Sequence, residues 1–101
     1  ENLGGEVRLI GDSYSDAGVA AREYCSRHEM SYIPPFDDPD VIAGQGTVAA
    51  EIIRQTEAPL DAVFIPVGGG GLIAGMACFI KAVRPEIKII GVEPDDSDAM
   101  A

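Results

Sequence analysis

Apolar positions along the chain alternate between two periods. Val7-Arg8-Leu9-Ile10-Gly11 is a short apolar run bounded by glycines, which predicts a strand. Ser13 and Asp16 then stand three apart as a capping box with Asp in the usual Glu position. The helix that follows sets Ala17, Ala20, Ala21, Tyr24 and Cys25 on one face and runs to about His28. Ser31-Tyr32-Ile33 predicts a second strand, stopped by Pro34-Pro35. Asp38-Pro39 is a helix start, Asp as N-cap and Pro at the first helical position. That helix should turn Val48, Ala49, Ile52 and Ile53 inward and end near Gln55. Its odd feature is Ala43-Gly44-Gln45-Gly46, because each glycine inside a helix costs about 1 kcal/mol relative to alanine. Backbone must pass close to something there. Leu60 to Val67 is an apolar strand expected to be buried on both faces, and Gly68 to Gly71 is a loop. Leu72 to Val83 is a helix apolar around nearly its whole circumference, closed by Pro85, and Ile87 to Val92 is the last strand before Glu93-Pro94.

Strands alternating with helices predict an α/β fold with a parallel sheet and flanking helices. The 101 residues hold one domain at most. The start at a bare strand, a last stretch (Asp98 to Ala101) like the first turn of another helix, and the all-round apolar helix read as an excerpt from a larger domain. Seventeen acidic against seven basic residues give a net charge of −10, which disfavours nucleic acid and anionic membrane surfaces as partners. No apolar run approaches the ~20 residues of a membrane span, and no signal peptide is visible. Cys25 and Cys78 lack metal-ligand spacing and read as buried, reduced thiols. That suits the cytoplasm, or a plastid or mitochondrion in a eukaryote.

The glycine loop carries the chemistry. Four successive residues without Cβ let the backbone turn tightly after a buried strand and aim its N–H groups at one point. The next helix adds unpaired N–H groups and the positive end of its dipole, so an anion there is held without a basic side chain. No Lys or Arg lies within six residues of the loop, and Lys81 is roughly 13–14 Å along the helix from Leu72. The loop is therefore a phosphate cradle. Gly69 to Ala74 also fits the dinucleotide pattern G-x-G-x-x-A, with Glu93 about twenty residues on as a ribose-binding acid, so a dinucleotide-binding or non-catalytic phosphate-binding module stays open. A P-loop is excluded, since no Lys-Ser or Lys-Thr follows the glycines.

Two stretches, Pro34-Pro35-Phe36-Asp37-Asp38-Pro39-Asp40-Val41-Ile42-Ala43-Gly44-Gln45-Gly46-Thr47 and Pro66 to Gly75, resemble the biosynthetic threonine deaminase (threonine ammonia-lyase) family. Serine racemase and serine dehydratase are relatives on the same scaffold and form the alternative. The resemblance covers essentially the whole chain, including Gly11-Asp12-Ser13-Tyr14 and Ile90 to Pro94. It implies a tryptophan-synthase-β-like fold, with residues 1–30 from the smaller subdomain and 31–101 from the larger, cofactor-phosphate subdomain. It implies pyridoxal 5'-phosphate as cofactor, its phosphate bound by Gly68, Gly69, Gly70, Gly71 and Leu72. The implied reaction, a step of isoleucine biosynthesis, converts threonine to 2-oxobutanoate and ammonia in a homo-oligomeric parent enzyme. The family's cofactor-bearing lysine segment, its substrate-carboxylate loop and its pyridine-nitrogen partner have no counterpart here. No catalytic residue and no metal ligand is therefore expected in these residues, which alone should be inactive.

Other candidates have plainer readings. His28 sits at a helix end, where a cation favours the dipole. Glu93 with Asp95-Asp96-Ser97-Asp98 reads as a solvated acidic loop, although the corresponding region of serine racemase binds a divalent cation. Gln45 marks backbone approach either to a neighbouring element or to the cofactor. Phe36, after two prolines, reads as a packing anchor.

Overall fold

The computed structural model describes residues 3–96, so Ser97, Asp98 and the expected helix start at Asp98 to Ala101 lie outside the described residues. The chain divides into two compact units, Glu1–Tyr32 and Ile33–Ala101.

The first unit is built on α1, Tyr14–Arg27. Its N-terminus is capped by the expected pair: the Ser13 hydroxyl accepts from the Asp16 N–H at 3.2 Å and donates to the Asp16 carboxylate at 2.7 Å, a side-chain bond in place of the reciprocal backbone bond of a full box. Its C-terminus is a Schellman turn, with Met30 N–H donating to Cys25 C=O at 2.9 Å. Glu29 takes the left-handed position at φ 53°, where glycine is usual. His28 caps the helix, stacks on Tyr24 at 3.9 Å between ring centroids, and meets the Tyr24 carbonyl through Nδ1 at 2.9 Å. Its role is local, as the helix-end reading has it. The strands expected at Val7 to Gly11 and Ser31 to Ile33 do not form. An extended segment becomes a strand only by pairing, and among the described residues neither finds a partner.

In the second unit α2, Pro39–Gln55, opens as predicted: the Asp38 carboxylate accepts from the N–H groups of Asp40 at 2.9 Å and Val41 at 3.2 Å, with Pro39 in the first turn. Next come β1 (Ala62–Pro66), α3 (Gly71–Val83) and β2 (Lys88–Val92). The strands pair in parallel, from Ala62 opposite Lys88 to Pro66 opposite Val92, with α3 as the crossover. Ala49, Ile65, Met76, Ile80 and Ile87 form the core, joined by Ile52, Ile53, Leu60, Leu72 and Phe79.

Three burial expectations change. Along β1, Ile65 is buried while Phe64 is 67% exposed, so the strand covers one face rather than two. Val48 is exposed where Ala49 is buried. The crossing with α3 selects this face of α2. A Cβ on Gly46 would stand 3.1 Å from the Gly75 carbonyl oxygen, and one on Gly75 would reach 2.7 Å from Gly46 N and strike the Ile42 carbonyl. Backbone lies on backbone, which answers what passes close to the glycines of α2. Cys78 is exposed and Cys25 half-buried, so neither is the buried thiol expected, although both are free. Cys78 lies one turn along α3 from Gly75 and borders, with Gly75 and Phe79, an open hollow beside α2. Among the described residues no helix is long and apolar enough to cross a membrane.

Candidate phosphate-binding site

The glycine turn stands at the carboxyl end of the sheet. After Pro66 the chain makes one further strand-like bond, Val67 N–H to Val92 C=O at 2.9 Å, and then enters Gly68 to Gly70. Open parallel sheets bind ligands at this end. Gly70 is the N-cap of α3 at φ 88°, ψ −10°, a left-handed conformation that an L side chain adopts only with strain. No side chain caps this helix, in contrast to Ser13 on α1 and Asp38 on α2. The first intrahelical bond runs from Ala74 N–H to Gly70 C=O at 2.9 Å, leaving the N–H groups of Gly71, Leu72 and Ile73 without helical acceptors. An anion placed there receives those donors and the positive end of the dipole.

A hollow of about 220 Å³ opens at this point, lined by Gly68 to Leu72, Pro66, Pro35, Phe36 and Gln45. The structure thus groups all five predicted residues around one space. Gln45 marks approach to a neighbouring element, since its backbone packs on Gly75, and it also lines the hollow. A Cβ built on Gly68 meets nothing within 4 Å, so this glycine faces open space. No side chain in the lining is charged, and the uncapped donors at the helix start are backbone groups. Such a cradle fits a phosphate held by N–H groups alone.

Neither lysine belongs to it. Lys81 donates to the carbonyls of Pro85 at 3.0 Å and Ile87 at 2.6 Å, which ties it to the far end of α3. Lys88 pairs with Ala62 at the opposite end of the sheet from the turn. Glu86, beside that end, has its carboxyl held below the usual carboxylate range by a hydrogen bond from Arg84. Asp95 and Asp96 form an exposed turn, and no cluster of three metal-ligating side chains occurs among the described residues. A separate hollow of about 260 Å³ within the first unit, between Ile10, Ala20, Tyr24 and Met30, is lined mainly by apolar side chains. Its Arg8 is committed to Glu6 at 2.6 Å and to the face of Tyr24. What the sequence reading missed is the contribution of Pro35 and Phe36, more than thirty residues from the turn, for which no local signal exists.

Comparison with known proteins agrees with this geometry. The chain is 60% identical over 101 residues to a chloroplastic biosynthetic threonine dehydratase of Arabidopsis thaliana, covering 100% of this chain and 17% of that protein. It is 56% identical over 98 residues to a biosynthetic L-threonine dehydratase of Burkholderia multivorans, covering 97% of this chain and 19% of the relative. The solved processed form of threonine deaminase isoform 2 from Solanum lycopersicum superposes with a TM-score of 0.87 at 54% identity, over 98% of this chain and 27% of that one. The chain therefore spans under a fifth of the length of the curated relatives it matches. The family described as pyridoxal-phosphate dependent enzymes matches residues 1–101, which sets aside the separate dinucleotide-binding module. With the fold, the glycine turn and the whole length in agreement, the chain belongs to the pyridoxal-phosphate-dependent enzyme family, whose cofactor is pyridoxal 5'-phosphate.

Proposed function

We propose that this chain supplies the cofactor-phosphate site of an L-threonine ammonia-lyase, an enzyme that releases 2-oxobutanoate and ammonia from threonine. The observation that carries the reading is the uncapped start of α3 behind a left-handed Gly70, at the carboxyl end of a parallel strand pair. The 54–60% identities to threonine dehydratases and a threonine deaminase support the choice of substrate. In this reading the N–H groups of Gly68 to Leu72 hold the phosphate and fix the cofactor's orientation. The cofactor supplies the electron sink for amino-acid chemistry, and this part of the protein supplies binding and orientation. Residues 1–30 belong to the smaller subdomain and 31–101 to the larger one.

The test uses the full-length enzyme. Gly70→Asp places a branched, negatively charged side chain at a left-handed position beside the helix start. Expected are loss of cofactor absorbance after dialysis and loss of 2-oxobutanoate release from threonine. Full cofactor occupancy in this variant would remove the turn from the site. Turnover of serine in preference to threonine by the wild-type enzyme would reassign the substrate. The 101 residues alone contain no lysine placed at the turn, so they are expected to release no 2-oxobutanoate above a buffer control containing free cofactor.

A further inference from the structure

Four glycines make a turn that can aim N–H groups, but they bring no side chain with which to hold that shape, and glycine is the residue with the most backbone freedom to lose. Something else must hold the turn. The structure shows one candidate in contact. A Cβ on Gly69 would fall inside the ring of Phe36, striking Cδ1 and Cγ, and one on Gly71 would stand 3.0 Å from Phe36 Cα and Cβ. The Phe36 ring therefore rests directly on the Gly69 backbone, and its main chain runs along Gly71. Phe36 also walls both hollows beside the turn, of about 220 and 230 Å³.

Phe36 is itself delivered by a stiff segment. Pro34 and Pro35 fix two successive φ angles before it. Two residues after it, Asp38 ties the chain to the first turn of α2, its carboxylate accepting from Asp40 and Val41 and its carbonyl from Ile42 N–H at 2.9 Å. Between these fixed points the aromatic ring has little freedom to leave the turn.

We infer that Phe36 is a positioning residue for the phosphate cradle, a rigid aromatic backstop that holds Gly69 to Gly71 in the conformation aiming their N–H groups at the anion. The inference rests on the phosphate-site reading and deepens it. It divides the glycines by role: Gly69 is glycine because the ring lies on it, whereas Gly68 faces open space.

The experiment compares, in the full-length apoenzyme, binding of pyridoxal 5'-phosphate with binding of pyridoxal, which lacks the phosphate, followed by absorbance titration. Phe36→Ala is expected to weaken pyridoxal 5'-phosphate roughly tenfold or more, by analogy with the loss that follows removal of groups orienting a metal's ligands. Pyridoxal affinity should change by less than about twofold, and Phe36→Leu should recover most of the loss. Gly69→Ala should be damaging with Phe36 present and much less so in the Phe36→Ala background, because the group it strikes is gone. Equal weakening of both ligands, unchanged binding of both, or equal damage by Gly69→Ala in the two backgrounds would each overturn the proposal. If Phe36→Ala fails to fold, Phe36→Val, which likewise withdraws the ring atoms lying on Gly69, takes its place on the same two ligands, with the same outcomes deciding. Gly70→Asp separates the two levels. Retention of cofactor by that variant overturns the phosphate site itself, whereas its loss beside wild-type binding by Phe36→Ala overturns only the backstop.

Discussion

Residues 33–96 use glycine in two places for opposed reasons. In the turn Gly68 to Gly71 the backbone is bent at an uncapped helix start, and the absent side chains leave room for an aromatic ring and, in the proposed reading, for an anion. At the crossing of α2 and α3 the backbone is regular helix, and the missing side chains let Gly46 and Gly75 lie main chain on main chain. In the proposed reading the first set serves binding, whereas the second serves packing. Substitutions should therefore separate along different measurements.

The largest effect is expected in the turn. Gly70→Asp should reduce cofactor retention beyond detection while leaving much of the helical circular dichroism of the full-length protein intact. An unfolded variant would show that the turn also carries the fold. Next comes the crossing. Gly75→Ala drives a methyl into the Ile42 carbonyl and the Gly46 amide, backbone that cannot rotate away, so a loss near the top of the ~1–3 kcal/mol overpacking range is expected in thermal or denaturant unfolding. A neutral Gly75→Ala would mean that the helices separate freely. Gly44→Ala should act in the other direction. Gly44 lies inside α2 with nothing within 4 Å of its Cβ position, so alanine gains about 1 kcal/mol of helix propensity and raises the melting temperature. Gly46→Ala should show the smallest change. Its methyl meets one carbonyl at 3.1 Å, a tight contact that opposes the same ~1 kcal/mol propensity gain. A large loss there would place Gly46 with Gly75.

The helices were legible because their ends are written locally. Ser13 with Asp16 and Asp38 before Pro39 each settle orphan backbone groups within a few residues, and the glycines before Leu72 mark the start of α3 while leaving its first N–H groups uncapped. The paired strands were legible because Ala62 to Pro66 and Lys88 to Val92 flank a helix in the order of a parallel crossover. Val7 to Gly11 has the composition of a strand, but strand formation depends on a neighbour that composition cannot supply. The inward face of α2 was misjudged at Val48 because hydrophobicity favours valine, whereas the close approach at Gly46 decides which side turns in. The turn announced itself through four glycines. Phe36 stood out only as a packing anchor, because its contact with Gly69 spans thirty-three positions of chain that no periodicity connects.

The bond from Lys81 to the carbonyls beyond α3 has an electrical consequence. A helix is a bar with a charge of about half a unit at each pole. Here the ammonium sits at the negative pole and quenches it, while the positive pole faces the hollow uncapped. The helix is thereby turned from a dipole toward a monopole. Its attraction for an anion falls off more slowly with distance, within an otherwise acidic stretch whose −10 charge repels the same anion. Added salt screens that diffuse repulsion over a length of about 8 Å at physiological ionic strength, but it leaves contacts inside the cradle nearly untouched. For the field of these residues, capture of a phosphate should therefore quicken with ionic strength, the reverse of the behaviour of a site built from lysines.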